Sequence, residues 1–520
     1  MTALTTTKDT LGGLLRQVAL SRPDATAIGD GRRRLTFVEL DAEVDNAAKA
    51  LLAQQVRPGD RVGLWLPNCT EWVTVFLAVA RLGATLVPVS TAFTADEAAD
   101  VLTRSKAVLL IAGGELRGRR PAHTAAALSV AGRIEGIRVL IAVHDDVPGA
   151  LTWPEFTAGG TARDLAEISA AVSPDDPVVI LYTSGTTGAP KGVLLPQRMI
   201  RNMRDVAGRL QLTTDDVTVL YLPLFHVFAL AAVVTFLTAG ARVHLLAAFS
   251  ASGSLELIEA ERATLLYGVP AHYYDQLRDP DFDQRDLSGV RLCISPGPAE
   301  LIREVDRRIA TAINCFGSTE TTSMITLGDP AAPLDERAGS IGAPLPLSQV
   351  RVVGPDGVDV PGGTPGELLV RGPAVMVGYD QDPAATARAV RDGWFHTGDG
   401  VQATPSGSSL RFLGRLDEMF KVGGENVDPM EVEAVLMVHP AVGTAAVFGI
   451  DDLRLGQVGV AFLTPREPGV PVDTDALRAF ARERLAGFKV PRRFVVVTEL
   501  PTTASGKVQK VKLRQAIPPA

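Results

Sequence analysis

Stretches with helix and strand periodicity alternate over the first part of the chain. Apolar residues between 11 and 18 have the spacing of one helix face, and residues 61–66 form a short apolar strand pattern. The run at 72–82 predicts a buried helix, and a strand pattern follows it at 85–89. This alternation is typical of an α/β fold.

The pattern changes in the second half of the chain. Residues 339–413 are dense in Gly, Pro and Val and contain short strand patterns, which predicts a small β-barrel subdomain. Residues 418–520 combine helix and strand periods, which predicts a small α+β domain. By contrast, residues 113–137 are rich in Arg, Gly and Ala and predict a solvated surface segment. We therefore expect an α/β multidomain protein whose N-terminal domain, 1–414, contains two α/β subdomains and the barrel.

Composition narrows the class of protein. At 520 residues the chain is too long for one hydrophobic core, and its net charge of −8 gives no support to nucleic acid as a partner. The longest apolar run, 228–240, is too short to span a bilayer, and the N-terminus has no apolar signal core. We therefore expect a cytoplasmic protein without a membrane span. Cys69, Cys293 and Cys315 are isolated in the sequence and are expected to be free thiols.

Residues 177–193 predict a buried strand that runs into a loop of glycine and hydroxyl residues. Glycines let backbone N–H groups converge on an anion, and the loop has three, at Gly185, Gly188 and Gly192. Further donors come from the side chains of Thr183, Ser184, Thr186, Thr187 and Lys191. The lysine is not followed by Ser or Thr, so this is not the common P-loop. On the loop alone, phosphate binding and a plain turn between strands both stay open.

With its neighbours, this loop resembles the phosphate loop of the acyl-adenylate-forming superfamily, which contains acyl-CoA synthetases, peptide adenylation domains and beetle luciferases. Further stretches follow in the family's order at 221–226, 316–320, 366–368, 394–399, 414–415 with 423–426, and 505–507. The resemblance covers nearly the whole chain. It implies an acyl-CoA synthetase of the fatty or aryl acid–CoA ligase type, with a mobile C-terminal domain and a hinge at 415–417 centred on Asp417.

The resemblance also implies a nucleotide site. Its expected residues are Thr183, Ser184, Gly185, Thr186, Thr187, Gly188, Lys191, Gly297, Pro298, Asn314, Cys315, Phe316, Gly317, Ser318, Thr319, Asp399, Phe412, Arg415 and Lys507. Thr183, Lys191, Glu320 and Lys507 are the expected catalytic residues. Glu320 is the expected Mg²⁺ ligand, because Mg²⁺ in nucleotide sites is typically held by one or two carboxylates plus phosphates. Asp399, expected in a turn, could accept both ribose hydroxyls.

One position departs from the family. The chain has Pro296 before Gly297 where the family usually has two glycines, and proline removes a backbone donor. The adenine edge is therefore expected to be held somewhat differently here.

The acyl pocket is expected, by the same resemblance, at His226, Phe228, Val269, Gly297 and Gly317. The pocket segments contain no Lys, Arg or Asp, and their glutamate is the one assigned to the metal. We therefore expect an acyl group with no formal charge apart from its carboxylate. Fatty, aryl and alicyclic acids all remain open.

The predicted reaction has two steps: a carboxylic acid and ATP give acyl-AMP and pyrophosphate, and the acyl group then passes to the thiol of coenzyme A. ATP, Mg²⁺ and CoA are the implied cofactors and cosubstrates. A channel for CoA is expected at Lys421, Gly423, Gly424 and Glu425.

Three alternatives stay open. One is an enzyme that loads a carrier-protein phosphopantetheine, and another is an inactive nucleotide-sensing protein. The third, an amino-acid adenylation domain, is disfavoured because residues 227–230 lack the aspartate that would bind the substrate amine. The oligomeric state is open as well, a homodimer included.

Overall fold

The computed structural model describes residues 9–160, 165–183, 191–404, 407–416, 418–423, 425–502 and 508–517, with only the backbone of Asn426. Contacts between residues divide the chain into two units. The first unit is Met1–Val350 with Val370–Phe395, and the second is Arg351–Leu369 with His396–Ala520.

The first unit begins with alternating helices and strands. They are α1 (Leu11–Ser21), β1 (Thr26–Gly29), β2 (Arg34–Thr36), α2 (Phe37–Ala53), β3 (Arg61–Trp65), α3 (Thr70–Leu82), β4 (Thr85–Pro88), α4 (Ala95–Arg104), β5 (Leu109–Gly113), α5 (Pro121–Val130), β6 (Val139–Val143), β7 (Leu151–Thr152), α6 (Trp153–Ala158) and α7 (Leu165–Ala171). Every residue of α3 is buried, which confirms the buried helix predicted at 72–82. The predicted strands before and after it are confirmed as β3 and β4.

The prediction of a solvated surface segment at 113–137 is wrong in its middle. Helix α5 lies there and buries one face, formed by Pro121, Ala122, Ala125 and Leu128. Because two of these four residues are alanines, the apolar character of the face is weak and the helical period is hard to see in the sequence.

The chain continues with the elements that surround the phosphate loop. They are β8 (Pro177–Thr183), β9 (Lys191–Pro196), α8 (Met199–Arg209), β10 (Val217–Leu220), α9 (Val227–Ala239), β11 (Arg242–Leu245), α10 (Ala251–Glu261), β12 (Leu265–Tyr267), α11 (Pro270–Leu277), β13 (Leu292–Ile294), α12 (Ala299–Arg308), β14 (Thr311–Ile313), β15 (Cys315–Phe316), β16 (Thr326–Leu327), α13 (Leu334–Gly339) and β17 (Ala343–Pro344), with 3₁₀ turns at Phe282–Gln284 and Thr319–Thr321.

Short strands dominate the next stretch, as predicted for 339–413. The elements are β18 (Gln349–Val353), β19 (Gly366–Arg371), β20 (Gly378–Tyr379), α14 (Pro383–Ala389), β21 (Val390–Arg391), β22 (Trp394–Ala403) and β23 (Leu410–Arg415). Apart from β20, the strands of this stretch form a sheet in the order β18-β19-β22-β21, with β23 paired to β22.

Two large sheets form the framework of the first unit. One has the order β20-β9-β8-β4-β3-β5-β6-β7 and is parallel except for the pairs β8–β9 and β9–β20. The other has the order β14-β13-β12-β10-β11-β1-β2 and is parallel except for β1–β2. Helix α1 packs against α2, α3 and α9 in the apolar core. The two predicted α/β subdomains are confirmed.

The second unit ends in a small α+β fold, as predicted. It contains β24 (Phe420–Val422), β25 (Glu425–Val427), α15 (Pro429–Val438), β26 (Val442–Asp452), β27 (Gly456–Pro465), α16 (Thr474–Arg482), β28 (Arg493–Val496) and α17 (Lys510–Gln515). The strand order is β25-β24-β27-β26, with β28 paired to β27, and α15 packs against β26. Within the part of the chain that is described, no helix has the length and apolarity needed to cross a membrane.

Candidate active site

Strands β8 and β9 flank the predicted phosphate loop. They pair antiparallel up to Thr183 and Lys191, which lie opposite each other, and the Thr183 hydroxyl donates to the Lys191 carbonyl at 3.5 Å. Lys191 therefore begins a strand, whereas the lysine of the common P-loop begins a helix. The predicted loop residues between them lie outside the described residues: Ser184, Gly185, Thr186, Thr187 and Gly188.

The segment that carries Glu320 is a tight loop closed at Gly317. A Cβ atom added to Gly317 would lie 1.4 Å from the carbonyl oxygen of Ser323, so only glycine fits there. The backbone N–H of Ser323 donates to the Ser318 carbonyl at 3.0 Å and closes the loop from the other side. Glu320 lies in the 3₁₀ turn between these ends and is half-buried. The closed loop therefore restricts the backbone positions from which the Glu320 side chain can extend.

Tyr379 connects the Glu320 carboxylate with the phosphate-loop lysine. The tyrosine hydroxyl donates to Glu320 Oε1 at 3.1 Å, and Lys191 Nζ lies 5.1 Å from the centroid of the same ring. Sequence reasoning singled out both charged residues but missed this tyrosine. Its only local signal is an aromatic residue after Gly378, and the contact depends on a strand pairing between distant segments.

The residues at Glu320 fit a Mg²⁺ ion that arrives with a nucleotide. Among the described residues, no group of three or more His, Cys, Asp or Glu side chains is arranged to hold a metal ion. A hard cation at Glu320 would therefore take its remaining ligands from phosphate oxygens and water, which is the usual arrangement for Mg²⁺ in nucleotide sites.

Asn314 joins two of the predicted nucleotide-binding stretches. Its side-chain N–H donates to the Gly297 carbonyl at 2.7 Å, and its Oδ1 accepts from the Cys315 backbone at 2.9 Å. Pro298 caps the start of α12. The Cys315 side chain is buried, and burial raises the pKa of its thiol to about 12. Only the backbone of Cys315 is therefore suited to contact a nucleotide. All three cysteines are free, as predicted.

The predicted acyl-pocket residues are aromatic or apolar where they are described. A strand pattern at 217–223 predicts that His226 follows the end of a strand. Strand β10 already ends at Leu220, and His226 occupies the N-cap position of α9. Burial lowers the pKa of His226 to about 4, so its ring is neutral at pH 7. The Phe228 ring meets the Tyr267 ring edge-on at 5.5 Å, and Val269 caps the start of α11.

In the second unit, Asp399 and Arg415 are cross-strand partners of β22 and β23. Arg415 Nη1 lies 3.2 Å from Asp399 Oδ1 and donates to the Thr397 carbonyl at 3.0 Å. The expectation that Asp399 lies in a turn is wrong, because β22 runs through it. The turn-like sequence is accommodated by Gly398, whose φ of 71° kinks the strand. Phe412, on β23, is half-buried.

The predicted CoA-channel residues that are described lie on the β24–β25 hairpin. Lys421 and Glu425 are exposed strand residues, and Gly423 is in the turn between the strands. Gly424, Asp417 and Lys507 lie outside the described residues. The segments flanking Lys507 are held together by a bridge between Thr502 and Val508.

Comparison with known proteins identifies the family. The sequence pattern of the AMP-binding enzyme family matches residues 15–380, and that of the AMP-binding enzyme C-terminal domain matches residues 431–507. A CoA ligase of Mycobacterium tuberculosis, named for a propanoyl group that bears a methyl-dioxo-octahydroindenyl ring system, is 38% identical over 98% of this chain and 99% of its own. A feruloyl-CoA synthase of an Amycolatopsis species is 37% identical over 95% and 96%. The crystal structure of the anthranilate CoA ligase AuaEII with anthranoyl-AMP superposes with a TM-score of 0.87 at 28% identity, covering 98% of both chains.

The chain belongs to the AMP-binding enzyme family. The predicted activity, that of an AMP-forming carboxylate–CoA ligase, is confirmed at the level of the enzyme class, as is the predicted use of ATP, Mg²⁺ and CoA.

Proposed function

We propose that the acid activated by this enzyme carries an uncharged ring, aryl or alicyclic, a short distance from its carboxylate. The observation that carries this proposal is the neutral, aromatic character of the predicted pocket, in which Phe228 packs edge-on against Tyr267 and the half-buried His226 is uncharged. Aromatic side chains pack ring substrates favourably through edge-on and offset contacts. The acids named in feruloyl-CoA synthase, anthranilate CoA ligase and the mycobacterial ligase all contain rings, which supports the same class.

In the first step, an oxygen of the substrate carboxylate forms a bond to the α-phosphorus of ATP, and the bond from that phosphorus to pyrophosphate breaks. Lys191 and the loop that begins at Thr183 hold the β- and γ-phosphates. Lys507 donates to the carboxylate and α-phosphate oxygens as charge develops there. Glu320 would hold Mg²⁺, which neutralises phosphate charge when bound. This division of roles is supported by the contacts of Lys191 and Glu320 with one tyrosine.

The ribose and the adenine of the nucleotide are assigned to separate groups of residues. Asp399 accepts the ribose hydroxyls, with Arg415 beside it holding the carboxylate in place; this is supported by their 3.2 Å contact. The loop from Asn314 to Thr319, together with Gly297, holds the adenine. These assignments follow the family resemblance.

In the second step, the CoA thiolate attacks the acyl carbon and AMP leaves. The C-terminal domain turns about Asp417, Lys507 withdraws, and the hairpin with Gly423 and Gly424 lines the path of the thiol. CoA is the proposed acceptor, in keeping with the CoA ligases among the relatives. Loading of a carrier protein stays the alternative, the oligomeric state stays open, and a cytoplasmic location stays a prediction.

A panel of nine-carbon acids tests the substrate class at constant carbon number. The enzyme is incubated with ATP, Mg²⁺ and CoA and with 3-phenylpropanoate, 3-cyclohexylpropanoate, nonanoate or nonanedioate, and acyl-CoA is measured by mass spectrometry. We expect kcat/KM for the two ring acids to exceed that for nonanoate. We expect nonanedioate to be rejected because the predicted pocket segments offer its second carboxylate no Lys or Arg partner. A preference for nonanoate would contradict the ring proposal, and turnover of nonanedioate at a similar rate would contradict the uncharged pocket.

A further inference from the structure

Tyr379 lies on the short strand β20, which pairs with β9 at the edge of the sheet. In this strand, β20, Tyr379 pairs antiparallel with Val193 of β9. The N–H of Val377 donates to the Leu194 carbonyl at 2.8 Å, and the N–H of Asp380 donates to the Gly192 carbonyl at 2.7 Å. The backbone of the tyrosine is therefore fixed on both sides relative to β9.

The pairing places the tyrosine ring beside the lysine. Lys191 and Val193 are two residues apart on β9, so their side chains lie on the same face of the sheet. Tyr379, as the partner of Val193, lies on that face too and is the diagonal neighbour of Lys191. The ammonium lies 5.1 Å from the ring centroid, within the range of a cation–π contact.

The hydroxyl of the same tyrosine reaches the other charged group. It donates to Glu320 Oε1 at 3.1 Å, and hydrogen bonds to a carboxylate are stronger than neutral ones. The backbone of the Glu320 loop is fastened separately, since the Met376 N–H donates to the Glu320 carbonyl at 2.8 Å and the Thr322 hydroxyl donates to the Ala374 carbonyl at 2.6 Å. Removal of the tyrosine hydroxyl should therefore release the carboxylate without releasing the loop.

We propose that Tyr379 is a positioning residue for nucleotide binding: its hydroxyl orients the Glu320 carboxylate toward the metal, and its ring orients the Lys191 ammonium toward the phosphates. This proposal rests on the roles proposed for Glu320 and Lys191. It adds that the two groups are set by one side chain, so that the metal-dependent and metal-independent parts of ATP binding can be separated by substitutions at one position.

Two substitutions separate the two contacts. Tyr379→Phe removes the hydroxyl and keeps the ring, whereas Tyr379→Leu removes both. Tyr274→Phe is the matched control, because Tyr274 is also a half-buried tyrosine of the first unit and lies outside the proposed site. Binding of ATP to the full chain is measured by titration calorimetry without an acid substrate, once with excess Mg²⁺ and once in EDTA.

We expect Tyr379→Phe to weaken ATP binding about tenfold with Mg²⁺, the lower end for loss of a group that orients a metal ligand, and to leave binding in EDTA unchanged. Tyr379→Leu should weaken binding under both conditions, and Tyr274→Phe under neither. The positioning role is overturned if Tyr379→Phe binds like the unmodified enzyme with Mg²⁺, or if it loses affinity equally with and without the metal.

A double-mutant cycle with Glu320→Gln distinguishes failure of this proposal from failure of the metal assignment. If the hydroxyl acts through the carboxylate, Tyr379→Phe has no further effect on MgATP binding once Glu320→Gln is present. If Glu320→Gln itself leaves the Mg²⁺ dependence unchanged, the metal assignment fails. If Glu320→Gln weakens MgATP binding and Tyr379→Phe does not, only the role of Tyr379 fails.

Discussion

The neutral state of His226, a residue of the predicted acyl pocket, should be visible in the pH dependence of protein stability. Burial lowers the pKa of its imidazole from 6.5 to about 4, so the folded protein resists protonation at a pH where the unfolded chain accepts a proton. The contribution of neutral His226 to the free energy of unfolding is therefore fully present above pH 6.5, and it is lost as the pH falls toward 4. The whole difference in pKa corresponds to about 3 kcal/mol, of which about 1 kcal/mol is lost at pH 5.5.

The variant His226→Gln removes this pH-dependent contribution to stability, because a neutral amide does not titrate. We expect the unmodified protein to lose about 1 kcal/mol more stability between pH 7 and pH 5.5 than the variant does. His272, whose pKa is also lowered to about 4 by burial, continues to contribute in both proteins. Urea unfolding followed by tryptophan fluorescence measures the effect in the first unit, which contains all four tryptophans, Trp65, Trp72, Trp153 and Trp394.

Direct titration provides the second readout. The chain has seven histidines, and ¹³C labelling at the ring Cε1 gives each one an NMR signal that shifts on protonation. The signal that disappears in His226→Gln should stay at its neutral position down to pH 5. A midpoint above pH 6 for that signal, or an equal loss of stability in variant and unmodified protein, would refute a neutral His226.

Three further substitutions test other parts of the structure. Gly317→Ala should lower the rate of ATP–pyrophosphate exchange about 100-fold, which is the scale for an ångström-sized displacement of a catalytic loop. The control Gly208→Ala, at an exposed helical glycine, should leave the rate unchanged. Equal exchange rates in the two variants would show that the Gly317 loop adapts to the added methyl group. Lys510→Met should lower the free energy of unfolding of the second unit by about 3 kcal/mol. The reason is that the Glu433 carboxylate, 2.8 Å from the Lys510 ammonium, loses this cation. An unchanged rate of limited proteolysis would contradict the prediction. Lys507→Ala should slow acyl-AMP formation by roughly 10²- to 10³-fold and leave thioester formation from added acyl-AMP near normal, and equal slowing of both steps would refute withdrawal of the lysine.

The sequence predicted those parts of the structure that depend on local pattern. The buried helix α3 and the strand β8 that runs into the phosphate loop follow from short-range periodicity. Strand β9 was not predicted, because Lys191 and Gly192 were assigned to the loop, whereas both lie in this strand. The importance of Gly317 was also indicated by its motif, although the reason, contact with the carbonyl of Ser323, requires the folded loop.

The parts that could not be predicted depend on pairing between distant segments. Tyr379 reaches Glu320 and Lys191 only because β20 adds to the edge of β9, and no local pattern encodes that pairing. Asp399 was expected in a turn because Gly398 precedes it, but pairing with β23 keeps the segment in a strand. In both cases tertiary contacts decide the local structure.

Attack of the carboxylate on the α-phosphorus, followed by departure of AMP, can be checked by following the two oxygens of the carboxylate. A ring-bearing acid labelled with ¹⁸O in both carboxylate oxygens is converted with ATP and CoA, and the products are analysed by mass spectrometry. Because the bond formed in the first step joins carboxylate oxygen to phosphorus and the bond broken in the second joins that oxygen to the acyl carbon, AMP should carry one ¹⁸O and pyrophosphate none. Label in inorganic phosphate accompanied by ADP, or unlabelled AMP alongside labelled acyl-CoA, would contradict attack of the carboxylate on the α-phosphorus.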